Sequence, residues 1–124
     1  MIQIAYIAAG GALGALMRYW MSNGVYTLFG RGFPYGTLSV NVIGSLFIGI
    51  LYVFLYERMN MSPEWRAGLV IGFLGALTTF STFSIETMNL IEASEFLKAA
   101  INIFLSVFLC LLACWLGIIG ARQL

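Results

Sequence analysis

Apolar residues fill this chain in four long blocks, separated by short polar or glycine-rich connections. The blocks cover residues 2–28, 35–56, 65–90 and 96–119. Each is long enough to cross about 30 Å of hydrocarbon as a helix, which takes roughly 20 residues. The connections at 29–34, 57–64 and 91–95 are short, so consecutive helices should be antiparallel neighbours. The pattern predicts an all-α integral membrane protein, with residues 1–124 forming a single domain of four transmembrane helices. The first block lacks a basic leading region and three further spans follow it, so it reads as a retained helix rather than a signal peptide.

The third block departs from simple lipid-facing composition. Residues 72–86 read GFLGALTTFSTFSIE, in which Thr78, Thr79, Ser81 and Thr82 interleave with Phe80 and Phe83 at mid-membrane depth. Hydroxyls and loosened backbone are tolerated there only inside protein or beside a polar cavity. Hydroxyl and β-branched residues also compete for backbone hydrogen bonds and weaken the helical ladder. The string predicts either a kinked or a broken third helix. A break would free carbonyls for a cation and turn the start of the following half-helix toward an anion.

Other polar positions fall on helical stripes. Thr37, Asn41 and Ser45 follow one another at four-residue spacing in the second span, and Asn102, Ser106, Cys110 and Cys114 do so in the fourth. Asn41 reads either as helix adhesion or as a donor along a path. The fourth-span face either completes the wall of a path or packs against its neighbours. Cys110 and Cys114 share one helix face at a spacing wrong for an intrahelical disulfide and read as packing residues. Arg18 is an interfacial anchor beside Tyr19 and Trp20 or part of a positive vestibule. Glu86 could accept hydrogen bonds from a break or pair with Arg18. Gly10, Gly11 and Gly14, with Gly68, Gly72 and Gly75, offer small faces for close helix approach.

Composition narrows the function classes. The chain is 61% hydrophobic and only 9% charged, against roughly 25% charged for a soluble domain. It has no His, no CxxC, no nucleotide-binding glycine loop and no soluble face for a cofactor or nucleic acid, so an enzyme is the least supported class. An exporter of organic cations would need an ionisable group deep in its pore, which the central parts of the first two spans lack. A membrane scaffold would not need the joint pattern of Asn41, hydroxyls and paired Phe. Arg58, Arg66 and Arg122 fall on one side of the bilayer, and Arg18, Arg31 and Lys98 on the other. This three-to-three tie leaves the two orientations nearly isoenergetic, and points to an antiparallel dimer of oppositely inserted copies if both occur.

Gly36, Thr37, Leu38, Asn41, Gly44, Ser45 and Gly49, followed by the run from Gly75 to Ser84 and by Glu86, strongly resemble the CrcB (Fluc) fluoride channels. Gly10, Gly11, Gly14, Arg18 and Tyr19 resemble their first helix. The resemblance implies an antiparallel, dual-topology homodimer in the bacterial cytoplasmic (inner) membrane. Each of its two pores would pass fluoride passively down its electrochemical gradient and reduce fluoride toxicity. It further implies pore roles for Asn41, Phe80 and Phe83, and for the adjacent Thr79, Ser81 and Thr82. Thr37 and Ser106 join the candidate pore residues, and Arg18 matches the vestibule arginine. Gly75 and Thr78 match main-chain ligands of a structural sodium ion (Na+) at the dimer centre. The implied partners are a second copy, fluoride, sodium and membrane lipid.

Overall fold

The computed structural model describes residues 1–124 and is helical apart from short connections. Helix α1 spans Ile2–Phe29 and α2 spans Tyr35–Arg58. The third block forms two helices: α3 over residues 63–77 and α4 over Phe80–Glu92. Helix α5 covers Phe96–Arg122. Three stretches are long and apolar enough to cross a membrane, namely Tyr35–Arg58, Pro63–Glu92 and Phe96–Arg122. The protein is therefore an all-helical, multi-pass membrane protein. Helix α1 has 28 residues, about 42 Å at 1.5 Å per residue, but Gln3, Arg18 and its run of Gly and Ala dilute its apolarity.

The helices overrun the apolar blocks. Helix α2 continues past Tyr56 to Arg58, α3 starts at Pro63 rather than Trp65, α4 ends at Glu92 and α5 reaches Arg122. Charged ends explain the extension. Arg122 donates from Nε and Nη2 to both Glu57 oxygens, at 3.2 and 2.6 Å, and Arg58 Nη2 donates to the Arg122 carbonyl at 2.8 Å. Ser62 and Pro63 start α3 as cap and first residue, although the Ser62 side chain makes no capping hydrogen bond. The ends of α2 (Val53–Arg58) and most of α3 (Ala67–Leu74) wind in wider i→i+5 turns.

Side-chain contacts set the helix directions. Lys98 reaches the Gly32 carbonyl at one end of α2 and α5, and Arg122 pairs with Glu57 at the other, so these two helices run parallel. Asn41 bonds to Thr79 while Thr37 bonds to Glu86, so α2 runs antiparallel to α4. Gly10 meets Gly68 and Gly14 meets Phe73, making α1 and α3 parallel. Successive rods thus alternate in direction, as short connections require. The same contacts gather Arg58, Arg66 and Arg122 toward one end, with Arg31 and Lys98 at the other.

Glycine sets the spacing. A Cβ added at Gly10 or Gly14 would collide with the backbone carbonyls of Gly68 or Phe73, and one at Gly72 would lie 2.5 Å from the Ile7 carbonyl. Across the other pair of rods, a Cβ at Gly49 would meet the Cys114 carbonyl, and one at Gly117 the Leu46 carbonyl. Apolar side chains gain nothing by leaving lipid for another helix, so such backbone-to-backbone approach supplies the van der Waals packing that holds membrane helices together. Gly24, in contrast, has open space around it. Replacing Gly49 with Leu should separate α2 from α5 and lower thermal stability in detergent, by about 1–3 kcal/mol for overpacking. Gly24→Ala should leave the melting temperature near that of the unmodified protein, and equal melting of all three proteins would contradict this packing scheme.

Candidate functional site

The third span is interrupted at Thr78 and Thr79. Their backbones are extended, with φ −87° and ψ 157° at Thr78 and φ −153° and ψ 119° at Thr79. Of the two readings the string allowed, kink or break, the structure has the break. Three hydrogen bonds hold it open. The Thr79 N–H donates to Asn41 Oδ1 at 2.7 Å, and Asn41 Nδ2 returns a bond to the Thr79 carbonyl at 3.0 Å. The Thr82 N–H donates to Thr79 Oγ1 at 3.2 Å, which caps α4.

These bonds divert donors from the helical ladder. In an unbroken helix the Thr79 N–H would bond to the Gly75 carbonyl, and the Thr82 N–H to that of Thr78. Both are taken elsewhere, so the Gly75 and Thr78 carbonyls lose their usual partners. The Thr78 hydroxyl turns back to the Leu74 carbonyl at 3.0 Å, and its methyl fills the space left by Gly44. Gly75 lies exposed on the surface of the single chain.

Two cavities flank the break. A groove of about 560 Å³ is lined by Asn41, Ser45, Thr78, Phe83 and Ser106 among others, with no charged residue in its wall. A second cavity of about 390 Å³ is lined by Arg18, Ser22, Thr37, Thr79 and Thr82. Thr79 borders both, so the Asn41–Thr79 pair stands between an uncharged groove and a positively lined vestibule. Phe80 and Phe83 both face the groove, with ring centroids 5.3 Å apart and planes tilted by 45°. Phe80 is 79% exposed on the single chain, which leaves the groove open along that side.

The expected residues are not all together. Asn41, Thr79, Phe80, Phe83, Ser106, Gly75 and Thr78 border the groove, whereas Arg18, Thr37 and Thr82 border the vestibule. Ser81 is exposed, 3.4 Å from the Thr79 hydroxyl, and lines neither cavity. The Thr37–Asn41–Ser45 stripe is therefore divided by the break. Cys110 lines the groove and Cys114 backs onto Gly49; both are free thiols.

Glu86 does not pair with Arg18. Its carboxylate accepts from Tyr26 Oη at 2.8 Å and from the Thr37 hydroxyl, and the ion pairs present are Lys98–Glu95 and Arg122–Glu57. Hydroxyls from two neighbouring helices occupy both carboxylate oxygens, which leaves Arg18 free to face the vestibule. Tyr26 carries no distinguishing mark in the sequence, being one of six tyrosines near the end of an apolar helix. Replacing Asn41 with Leu would leave a Thr79 N–H and carbonyl unpaired inside protein, at about 1–3 kcal/mol per group. A lowered unfolding temperature in detergent is expected; unchanged stability would mean the clamp does not hold the break.

Comparison with known proteins places the chain in a family. The family described as "CrcB-like protein, Camphor Resistance (CrcB)" matches residues 5–118. A protein of Geobacter metallireducens named fluoride-specific ion channel FluC is 53% identical over 124 residues, covering 100% of both chains. A Geotalea uraniireducens protein of the same name is 54% identical over 121 residues, covering 98% of both. A third, from Methylococcus capsulatus, is 55% identical over 118 residues; the match takes in 95% of this chain but spans only 52% of that relative. With a match to all but the two ends and full-length relatives above half identity, the chain belongs to the CrcB family.

Proposed function

We propose that this chain is a passive, fluoride-selective ion channel of a bacterial cytoplasmic membrane, working as an antiparallel homodimer of four-span subunits. The observation that carries the reading is the meeting of two cavities at Asn41 and Thr79, in a chain whose full-length relatives are named fluoride-specific channels. In this account an anion enters beside Arg18, whose guanidinium raises its local concentration without reaching the groove. Only one Asn41 Nδ2 hydrogen is committed to Thr79, so the other is free for the passing ion. Beyond it, the ring edges of Phe80 and Phe83 offer weak positive faces, and Ser106 offers a hydroxyl.

Several weak donors suit conduction better than one strong one. A desolvated anion is costly in an apolar groove, so hydration must be replaced. A fixed cation inside the groove would hold the ion and stop flow. The uncharged groove wall agrees with that requirement. Fluoride entering the cell as neutral hydrogen fluoride dissociates there, and an inside-negative membrane drives the anion out with about 2.3 kcal/mol per 100 mV. No fuel or coupling step is needed.

Three observations support the dimer. Gly75 and Phe80 are exposed beside a groove open on one side, a surface that a second copy would cover. Lys and Arg divide three to three between the two sides when Arg18 of the vestibule is counted with Arg31 and Lys98, a split that favours neither insertion. The Gly75 and Thr78 carbonyls, deprived of their helical donors, are neutral hard oxygens of the kind sodium prefers, and no Cβ stands in front of Gly75. Those carbonyls fit a sodium ion shared with the same pair from a second copy, and the bound ion would tie the two breaks together.

Purified protein in lipid vesicles should release fluoride rapidly and chloride far more slowly, as read by ion-selective electrodes; equal release of both, or neither, would overturn the assignment. Phe80→Ile and Phe83→Ile keep bulk but remove ring edges, and should lower fluoride efflux at equal protein content. Efflux at the unmodified rate from both variants would make the rings packing residues. A single cysteine appended near the C-terminus should label from both faces of intact cells, and labelling from one face alone would exclude dual topology.

A further inference from the structure

Away from the clamp, a second polar chain crosses from α4 to α5. Thr87 Oγ1 donates to the Phe83 carbonyl at 2.7 Å, and Asn102 Nδ2 donates to Thr87 Oγ1 at 2.9 Å. At its other end, Asn102 Oδ1 lies 3.5 Å from Ser106 Oγ, which donates to it. Asn102 is 1% exposed, and Thr87 6%. Neither lines the groove, yet the two ends of the chain, Phe83 and Ser106, both do.

We propose that Asn102 is a positioning residue for the groove, tying the turn of α4 that carries Phe83 to the turn of α5 that carries Ser106 across the α4–α5 seam. The inference rests on the fluoride-channel reading above. A buried amide needs partners, and here they are one residue that grips α4 and one that faces the groove. The direction of each bond matters. The amide nitrogen must face Thr87, because the Thr87 hydrogen is spent on the Phe83 carbonyl; the amide oxygen is thereby turned to Ser106. At 3.5 Å the Ser106 bond is at the long limit of hydrogen bonding, weak enough for the hydroxyl to swing its hydrogen to a passing anion and back. Asn102 thus gives Ser106 a resting partner without locking it, which a leucine of the same branched shape cannot do.

Fluoride and chloride flux from vesicles, read for variants at equal protein content, tests this role. Asn102→Leu removes both amide bonds, and Thr87→Val removes the hydroxyl between Asn102 and Phe83 at nearly constant shape. Each should lower fluoride flux about five- to tenfold, the rate equivalent of about one hydrogen bond. Each should also change the fluoride-to-chloride ratio, whereas Thr87→Ser, which keeps the hydroxyl, should conduct with the original ratio. In a Ser106→Ala background Asn102→Leu should have a much smaller effect, because the hydroxyl it positions is gone. Folded variants with unmodified flux and selectivity would overturn the proposal while leaving the channel reading intact. Loss of folded protein in both Asn102→Leu and Thr87→Val would assign the chain to the fold alone and overturn it equally. Absence of fluoride flux in the unmodified protein would instead overturn the channel reading itself.

Discussion

The two-way hydrogen bond between the Asn41 carboxamide and the Thr79 backbone is the interaction on which the rest of this architecture depends. A helix broken inside a membrane exposes backbone groups that water cannot reach, so the break survives only if protein supplies their partners. One carboxamide, with a donor and an acceptor on the same planar group, satisfies both polar groups of a single residue. A carboxylate, having no donor, would leave the carbonyl unpaired and repel it. The Thr79 side chain then caps the helix that follows. Two short side chains, Asn41 and Thr79, thereby convert a continuous span into two half-helices and leave the Gly75 and Thr78 carbonyls without their helical donors.

Glycine and the break cooperate. Gly10, Gly14 and Gly72 bring α1 against α3, while Gly49 and Gly117 bring α2 against α5. Gly44 makes room for the Thr78 methyl at the break itself. The resulting close spacing lets an amide on α2 reach the backbone of the third span at 2.7–3.0 Å. Two cavities flank this junction, one lined by Arg18 and hydroxyls and one without charge. In the proposed channel, that division separates attraction of an anion from its passage.

Much of this was legible from the residues themselves. Four apolar blocks with short connections give alternating helices, because length and hydrocarbon thickness leave few choices. Hydroxyls clustered in the third block mark the place where the ladder fails, because those side chains compete with it. What the string could not show is which groups meet across helices. Glu86 ends on Tyr26 and Thr37 rather than on Arg18, and Thr37 falls on the vestibule side although it shares a helical stripe with Asn41. Such pairings depend on the rotation and depth of one helix against another. A one-residue shift turns a helix by about 100°, so four-residue spacing identifies a face without identifying what that face meets. The helix ends also ran past the apolar blocks, because Glu57, Arg58 and Arg122 bond with one another beyond them.

The central claim is that Asn41 both clamps the break and meets the permeating ion. Solid-state nuclear magnetic resonance of the protein in bilayers, with its asparagine side chains labelled with ¹⁵N, observes that carboxamide directly. Titration with fluoride should shift the Asn41 Nδ2 resonances saturably, chloride should leave them in place, and the bond from the Thr79 N–H should persist throughout. Asn41 resonances unmoved by fluoride, in a sample that conducts it, would contradict the account.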